Sequence, residues 1–257
     1  MATSRSQGSL YTRIQGSLAL VEFGHPSSNA MNSELLDRLE QEIRELGTRK
    51  DLGVILLLSE GDRAFCAGAS FDELLAVSTE EESRQFFSGF ARVILAMKNC
   101  PKPIVTLVQG KAVGGGVGLI AASDYALACE AASVRLSELS IGIAPLVIAP
   151  AVARKTGAAG LAEMSLSPKE WKSAYWAKDK GLFARVYESQ KELRKEGEAF
   201  ASALAETPVA ALEAMKAALW EGTGHWEELL PARAEQTGKL ALSDTTQRQL
   251  KAFKSKS

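Results

Sequence analysis

Two short, almost wholly apolar runs, at residues 54–58 and 103–108, do most to limit what this chain can fold into. Each is too short for a core helix and rich in β-branched side chains, which fits a strand buried on both faces. A loop of small residues follows each run, at 59–70 and at 110–116, and helical patterning then resumes at 79–98 and 117–122. Residues 124–129 and 133–136 read as a third and a fourth strand of this series. Strand, loop and helix alternate, which predicts an α/β fold with mainly parallel pairing. Ahead of this series, Tyr11-Thr12-Arg13-Ile14 and residues 18–23 flank a Gln15-Gly16-Ser17 turn and predict a hairpin. Residues 25–30 read as a loop. Asn32-Ser33 can cap a helix over 34–46 with Leu35, Leu36, Leu39 and Ile43 on one face. Residues 188–205, 208–221 and 226–242 read as helices. The expected organisation is a core over 1–190 and a helical C-terminal region over 191–257.

Composition removes several classes of function. Thirty basic and 31 acidic side chains leave a net charge of −1, without the basic excess of a nucleic-acid binder or a polybasic membrane-surface protein. Asp124, Glu130 and Arg135 interrupt the longest apolar stretch, so no segment reaches the ~20 residues of a membrane span. Residues 1–15 are polar and lack the apolar run of a secretory signal. A cytoplasmic protein with no membrane and no nucleic-acid partner is expected. Cys66, Cys100 and Cys129 are too few and too scattered for a disulfide framework or a zinc site, and His25 and His225 sit in no metal motif. No metal is therefore expected.

Loops that follow parallel strands are where α/β proteins place their sites. Three stand out: Arg63-Ala64-Phe65-Cys66-Ala67-Gly68-Ala69-Ser70, Gly110-Lys111-Ala112-Val113-Gly114-Gly115-Gly116-Val117-Gly118-Leu119, and Leu136-Ser137-Glu138-Leu139-Ser140-Ile141-Gly142. A glycine run entering a helix exposes N–H groups with no intrahelical acceptor, at the positive end of the helix dipole. Two such loops side by side could offer two N–H groups to one oxygen, an oxyanion hole whose donors are typically worth ~3 kcal/mol each. Glu138 could then move a proton beside the polarised carbonyl. Taken singly, each piece also has an ordinary structural explanation. A glycine run can be a tight turn, a strand-end glutamate a solvated charge, and the three cysteines small buried hydrophobes. Gly116-x-Gly118-x-x-Ala121, with Glu138 20 residues beyond Gly118, also resembles a dinucleotide-binding fingerprint. That match is weak, because the strand ends at Val108, several residues before the glycines.

Together the three segments resemble the enoyl-CoA hydratase/isomerase (crotonase) family. The resemblance covers roughly residues 10–190 and includes Pro101-Lys102-Pro103-Ile104-Val105 before the glycine loop and Asp124 after it. It implies a crotonase-like spiral of ββα units with a helical C-terminal region used for trimerisation. It further implies an acyl-CoA thioester as substrate, with the N–H groups of Ala69 and Gly115 as the oxyanion hole and Glu138 as general acid/base. Ala67, Gly68, Gly114 and Gly118 would be substrate-binding residues. Coenzyme A is then part of the substrate, no separate cofactor is expected, and the assembly would be a homotrimer or a dimer of trimers.

Two departures refine this. Two-glutamate hydratases of the family carry a second acid in Gly-Gly-x-Glu-Leu, where this chain has Gly118. Glu138 is thus the only acid carried over. The segment Ile143-Ala144-Pro145-Leu146-Val147-Ile148-Ala149-Pro150, with Leu136-Ser137-Glu138, is similar to the bacterial methylglutaconyl-CoA and carboxygeranoyl-CoA hydratase-like branch. Substrates of that branch carry a second carboxylate, for which Arg154 and Lys155 are candidates; Lys251 and Lys254 are candidates for the CoA phosphates. The resemblance therefore implies an enoyl-CoA hydratase of the methylglutaconyl type. A Δ3,Δ2-enoyl-CoA isomerase is the alternative within the family, and a non-catalytic acyl-CoA-binding scaffold is the alternative of another class.

Overall fold

The computed structural model describes residues 7–254, with the backbone alone described for Phe253 and Lys254. It begins with the expected hairpin, β1 (Ser9–Gln15) and β2 (Leu18–Gly24), paired antiparallel from Gln15↔Leu18 to Ser9↔Gly24. Gly16 takes φ +57° in the turn, a conformation that costs glycine little. Helix α1 (Ser33–Thr48) follows, and Asn32 caps it by accepting the Leu35 N–H at 2.8 Å. The apolar run becomes β3 (Val54–Ser59), all six residues of which are buried. Then come β4 (Ala64–Cys66), α2 (Phe71–Ala76), α3 (Glu80–Asn99), β5 (Ile104–Val108), β6 (Lys111–Val113) and α4 (Gly115–Ala122). Next are β7 (Tyr125–Cys129), β8 (Ser133–Arg135) and a 3-10 turn over Glu138–Ile141. The chain continues through α5 (Ala149–Leu166), β9 (Lys172–Ser173), α6 (Ala174–Asp179) and β10 (Arg185–Tyr187). It closes with α7 (Gln190–Ala205), α8 (Val209–Leu219), α9 (Trp226–Ala241) and α10 (Asp244–Lys254).

Among the described residues, ten strands form two sheets. The larger runs β1-β2-β3-β5-β7-β10 and is parallel beyond the hairpin; the smaller runs β4-β6-β8-β9 and is parallel except at its last pair. The two-residue period of a strand sends alternate side chains of β3 to opposite faces. Ile55 and Leu57 enter the main core with Leu35, Leu39 and Ile94, while Val54, Leu56 and Leu58 join Val105, Leu107 and Leu193 beneath α7. Gly197 lets α7 lie close on that face, since a Cβ there would fall 2.9 Å from Leu107 Cδ1.

The C-terminal helices share these cores. Trp226, Leu230 and Ala234 of α9 belong to the main cluster, and Leu250 of α10 is fully buried with Leu74, Val77, Phe86 and Ile143. A buried polar knot ties α8 to the larger sheet. Asp124 accepts the Ile104 N–H at 2.7 Å, Lys216 Nζ at 2.6 Å and Trp220 Nε1 at 2.6 Å, and Lys216 also donates to the Met97 carbonyl. Burial pushes the Lys216 ammonium below its ordinary value, and the adjoining Asp124 opposes that. Removing one member of such a pair leaves an uncompensated charge in the interior.

Candidate active site

The smaller sheet builds the site. Its parallel register sets Cys66 beside Ala112 and Val113 beside Arg135. The turns that leave β4, β6 and β8 therefore emerge side by side, and they are the three segments singled out in the sequence. Each is held by specific backbone hydrogen bonds. Met31 pairs with Ala69 as an isolated parallel bridge, in which the Met31 N–H donates to the Gly68 carbonyl and the Ser70 N–H to the Met31 carbonyl. This pattern uses the residues on either side of Ala69 and turns the Ala69 N–H to the opposite edge. Gly114 adopts φ +52° and ψ −118°, and its carbonyl takes the Val117 and Gly118 N–H groups to start α4. Gly115 is thus the first helical residue, and its N–H has no intrahelical acceptor. Neither the Ala69 nor the Gly115 N–H donates to an acceptor among the described residues. The two turns adjoin: a Cβ built on Gly68 would stand 2.9 Å from the Val113 carbonyl oxygen and 3.7 Å from Gly115 N.

Glu138 opens the 3-10 turn after β8. A Cβ on Gly114 would lie 2.8 Å from Glu138 Oε1, so the carboxyl rests directly against the glycine turn. Oε2 is shielded from solvent and has no hydrogen-bond partner among the described residues. Burial pushes this carboxyl up to about 7, against the smaller opposing effects of backbone hydrogen bonding and of Arg135. A carboxyl near neutrality can both take and return a proton. Arg135 is stacked over Trp171, 4.4 Å from the ring centroid, and burial holds its guanidinium below the ordinary value. Its Nε is also shielded and without a partner among the described residues.

These groups share a cavity of about 810 Å³. Its apolar wall is made by Phe71, Leu74, Phe86, Phe87, Phe90, Ile141, Ile143 and Ile148; Lys169 and Gln249 also line it. Glu138 is the only carboxylate among the described lining residues. No group of side chains able to hold a metal ion occurs among the described residues.

Of the residues proposed from sequence, Ala67, Gly68, Ala69, Gly114, Gly115 and Glu138 all line this cavity. Gly118 does not. It is buried within α4, where a Cβ would overlap Ile148 Cγ2 and fall 3.0 Å from Ile148 Cβ, so it is a packing glycine rather than a substrate contact. Arg154 and Lys155 are also elsewhere. Arg154 stacks on Trp220, 4.2 Å from its centroid, and Lys155 donates to the Asp124 carbonyl, so both belong to the knot below the larger sheet. The Lys254 side chain lies outside the described residues, and Lys251 does not line the cavity. Cys66 is inert packing, its thiol pushed up to about 12 by burial. Arg135, the three phenylalanines of α3 and Ile148 were not found from sequence. A lone cation between Val134 and Leu136 was the available signal for Arg135, and the grouping of Phe86, Phe87 and Phe90 on one helix the signal for the wall.

The family model described as enoyl-CoA hydratase/isomerase matches residues 13–256, and the chain belongs to that family. A Bacillus subtilis protein named "Probable enoyl-CoA hydratase" is 27% identical over 238 residues, which is 92% of each chain. The peroxisomal Delta(3,5)-Delta(2,4)-dienoyl-CoA isomerase of Arabidopsis thaliana is 28% identical over 64% of this chain and 63% of its own length. A Bacillus subtilis protein named "Putative enoyl-CoA hydratase/isomerase YngF" is 31% identical, but the match spans only about half of that protein, 52% of its length. Among solved structures, enoyl-CoA hydratase from Bacillus halodurans superposes with a TM-score of 0.88 at 22% identity, covering 95% of this chain and 99% of that one. The fold is therefore the crotonase fold with a helical C-terminal region.

Proposed function

We propose that this protein is an enoyl-CoA isomerase in which Glu138 is the sole proton carrier and the Ala69 and Gly115 N–H groups hold the thioester oxygen. One observation carries the reading: the cavity faces those amide-bearing turns with a single, solvent-shielded carboxylate, and the space beside Gly118 is filled by Ile148. In the reaction, Glu138 takes a proton from the carbon α to the thioester of a 3-enoyl-CoA. The C–H electron pair moves into the carbonyl, and the resulting dienolate oxygen is held by the two amides. The same carboxyl returns the proton to the γ carbon, giving the conjugated 2-enoyl-CoA with no net gain or loss of atoms. A carboxyl poised near neutrality suits both halves of this transfer.

The test is to present the purified protein separately with 3-enoyl-CoA and 2-enoyl-CoA thioesters. Formation of the conjugated product without gain of a water mass is expected, and E138Q should lower turnover by about 100-fold or more while acyl-CoA binding persists. Unchanged turnover in E138Q would remove this acid from the mechanism. Binding of acyl-CoA thioesters without turnover of any of them would instead identify a scaffold.

A second reading, hydration of a methylglutaconyl-type thioester, is favoured by Arg135. Its Nε, without a partner among the described residues, and Lys169, which also lines the cavity, are positive groups suited to a second carboxylate on the acyl chain. Water addition confined to dicarboxylic enoyl-CoA substrates would select this reading. A homotrimer or dimer of trimers is part of the proposal, and exposed Leu166 and Tyr175 offer apolar surface for such contacts.

A further inference from the structure

We propose that Thr246 of α10 is a positioning residue for Glu138, acting through the single peptide group that joins Gly142 to Ile143. This inference rests on the catalytic reading of Glu138. The Thr246 hydroxyl donates to the Gly142 carbonyl oxygen at 2.9 Å. The N–H at the other end of that peptide, on Ile143, donates to the Glu138 carbonyl at 3.1 Å. A peptide group is planar, so fixing its oxygen fixes the direction of its N–H. The two hydrogen bonds thus run in series from α10 to the backbone of the acid, and bonds in series polarise one another.

The surroundings make this more than a surface contact. Thr246 is buried at 3% exposure, and its hydroxyl is oriented in turn by Ser243 Oγ at 3.0 Å. Gly142 ends the 3-10 turn in the left-handed region, φ +82°, where α10 presses directly on it: a Cβ would stand 2.8 Å from Thr246 Oγ1 and overlap Gln249 Oε1. Leu250, one helical turn beyond Thr246, is fully buried and anchors α10 beside the cavity. Without the hydroxyl, the 142–143 peptide can rotate and the Glu138 turn loses its far support. Small displacements of a catalytic group are costly to rate, while substrate affinity, set mostly by the rest of the cavity, changes little.

The experiment compares wild type, T246V, T246A and T246S in steady-state turnover of an enoyl-CoA thioester, with thermal midpoints recorded for each. T246V and T246A should each lower kcat by about tenfold with KM within about twofold, and T246S should restore most of the loss. Wild-type kcat in both T246V and T246A overturns the proposal, as does a T246S value no better than that of T246V. A kcat loss that merely follows a fall in thermal midpoint across all three variants overturns it too. If T246V does not fold, the T246A and T246S pair decides alone. E138Q assayed alongside keeps the two readings apart. Full activity in E138Q defeats the role of the acid itself, whereas an inactive E138Q beside an undiminished T246V defeats only the positioning role.

Discussion

Replacing the buried acid should make the folded protein stronger at alkaline pH while disabling it. The Glu138 carboxyl ordinarily titrates near 4.5, as it would in the unfolded chain, and near about 7 in the native protein, because burial disfavours its charge. The native state therefore holds this proton more tightly than the unfolded chain does. Stability linked to Glu138 is fully present below pH 4.5 and is lost as pH rises through 7. At about 1.36 kcal/mol per pH unit, the full loss is about 3 kcal/mol, most of it between pH 5 and pH 8. E138Q keeps the shape of the side chain and carries no charge at any pH. Urea unfolding of both proteins at pH 5 and pH 8 measures the effect. The stability of E138Q relative to wild type should improve by roughly 2–3 kcal/mol from the lower to the higher pH. An identical difference at the two pH values would mean that the carboxyl titrates as if solvated, and the argument from burial would be refuted. A stabilised but inactive variant is the familiar trade between stability and function at an active site.

Gly114→Ala should reduce turnover by about 100-fold, because its methyl must stand 2.8 Å from Glu138 Oε1 on a residue with φ +52°; wild-type turnover would show that the acid does not rest on this turn. Gly118→Ala should destabilise the fold by about 1–3 kcal/mol through overpacking against Ile148, and adding Ile148→Ala should recover part of it. Strictly additive losses in chemical denaturation would show that the two side chains do not meet.

The larger sheet, apart from the three-residue β10, and its covering helices are legible because their elements are long enough to show a period. The fully buried run of β3 and the stripe of Leu35, Leu36, Leu39 and Ile43 on α1 needed no tertiary information. Of the smaller sheet only β8 is legible, as the strand expected over residues 133–136. β4 and β6 have three residues each and were read as loop, since three residues cannot display an alternation and their pairing is entirely non-local. Helix α2, only six residues long, was missed within the same stretch. The loops that carry the site were nonetheless found, because glycine and alanine runs mark close backbone approach whether or not the strands before them are recognised. Arg154 and Lys155 were misplaced for the opposite reason. Their charge suggested a ligand, and nothing local announced that Asp124 and Trp220 would claim them. Thr246 could not be seen at all, since it lies 104 positions from the carbonyl it holds.

The floor of the cavity is made of absences. At Gly68, Gly114 and Gly115 the place a side chain would take is already filled, by the Val113 carbonyl, the Glu138 carboxyl and the Phe90 ring. Even a methyl group is one atom too many at any of the three. Such a set of turns cannot be retuned by gradual change. Under the proposed function, change toward other substrates would come instead from side chains that line the cavity away from these turns, such as Ile141 and Phe87.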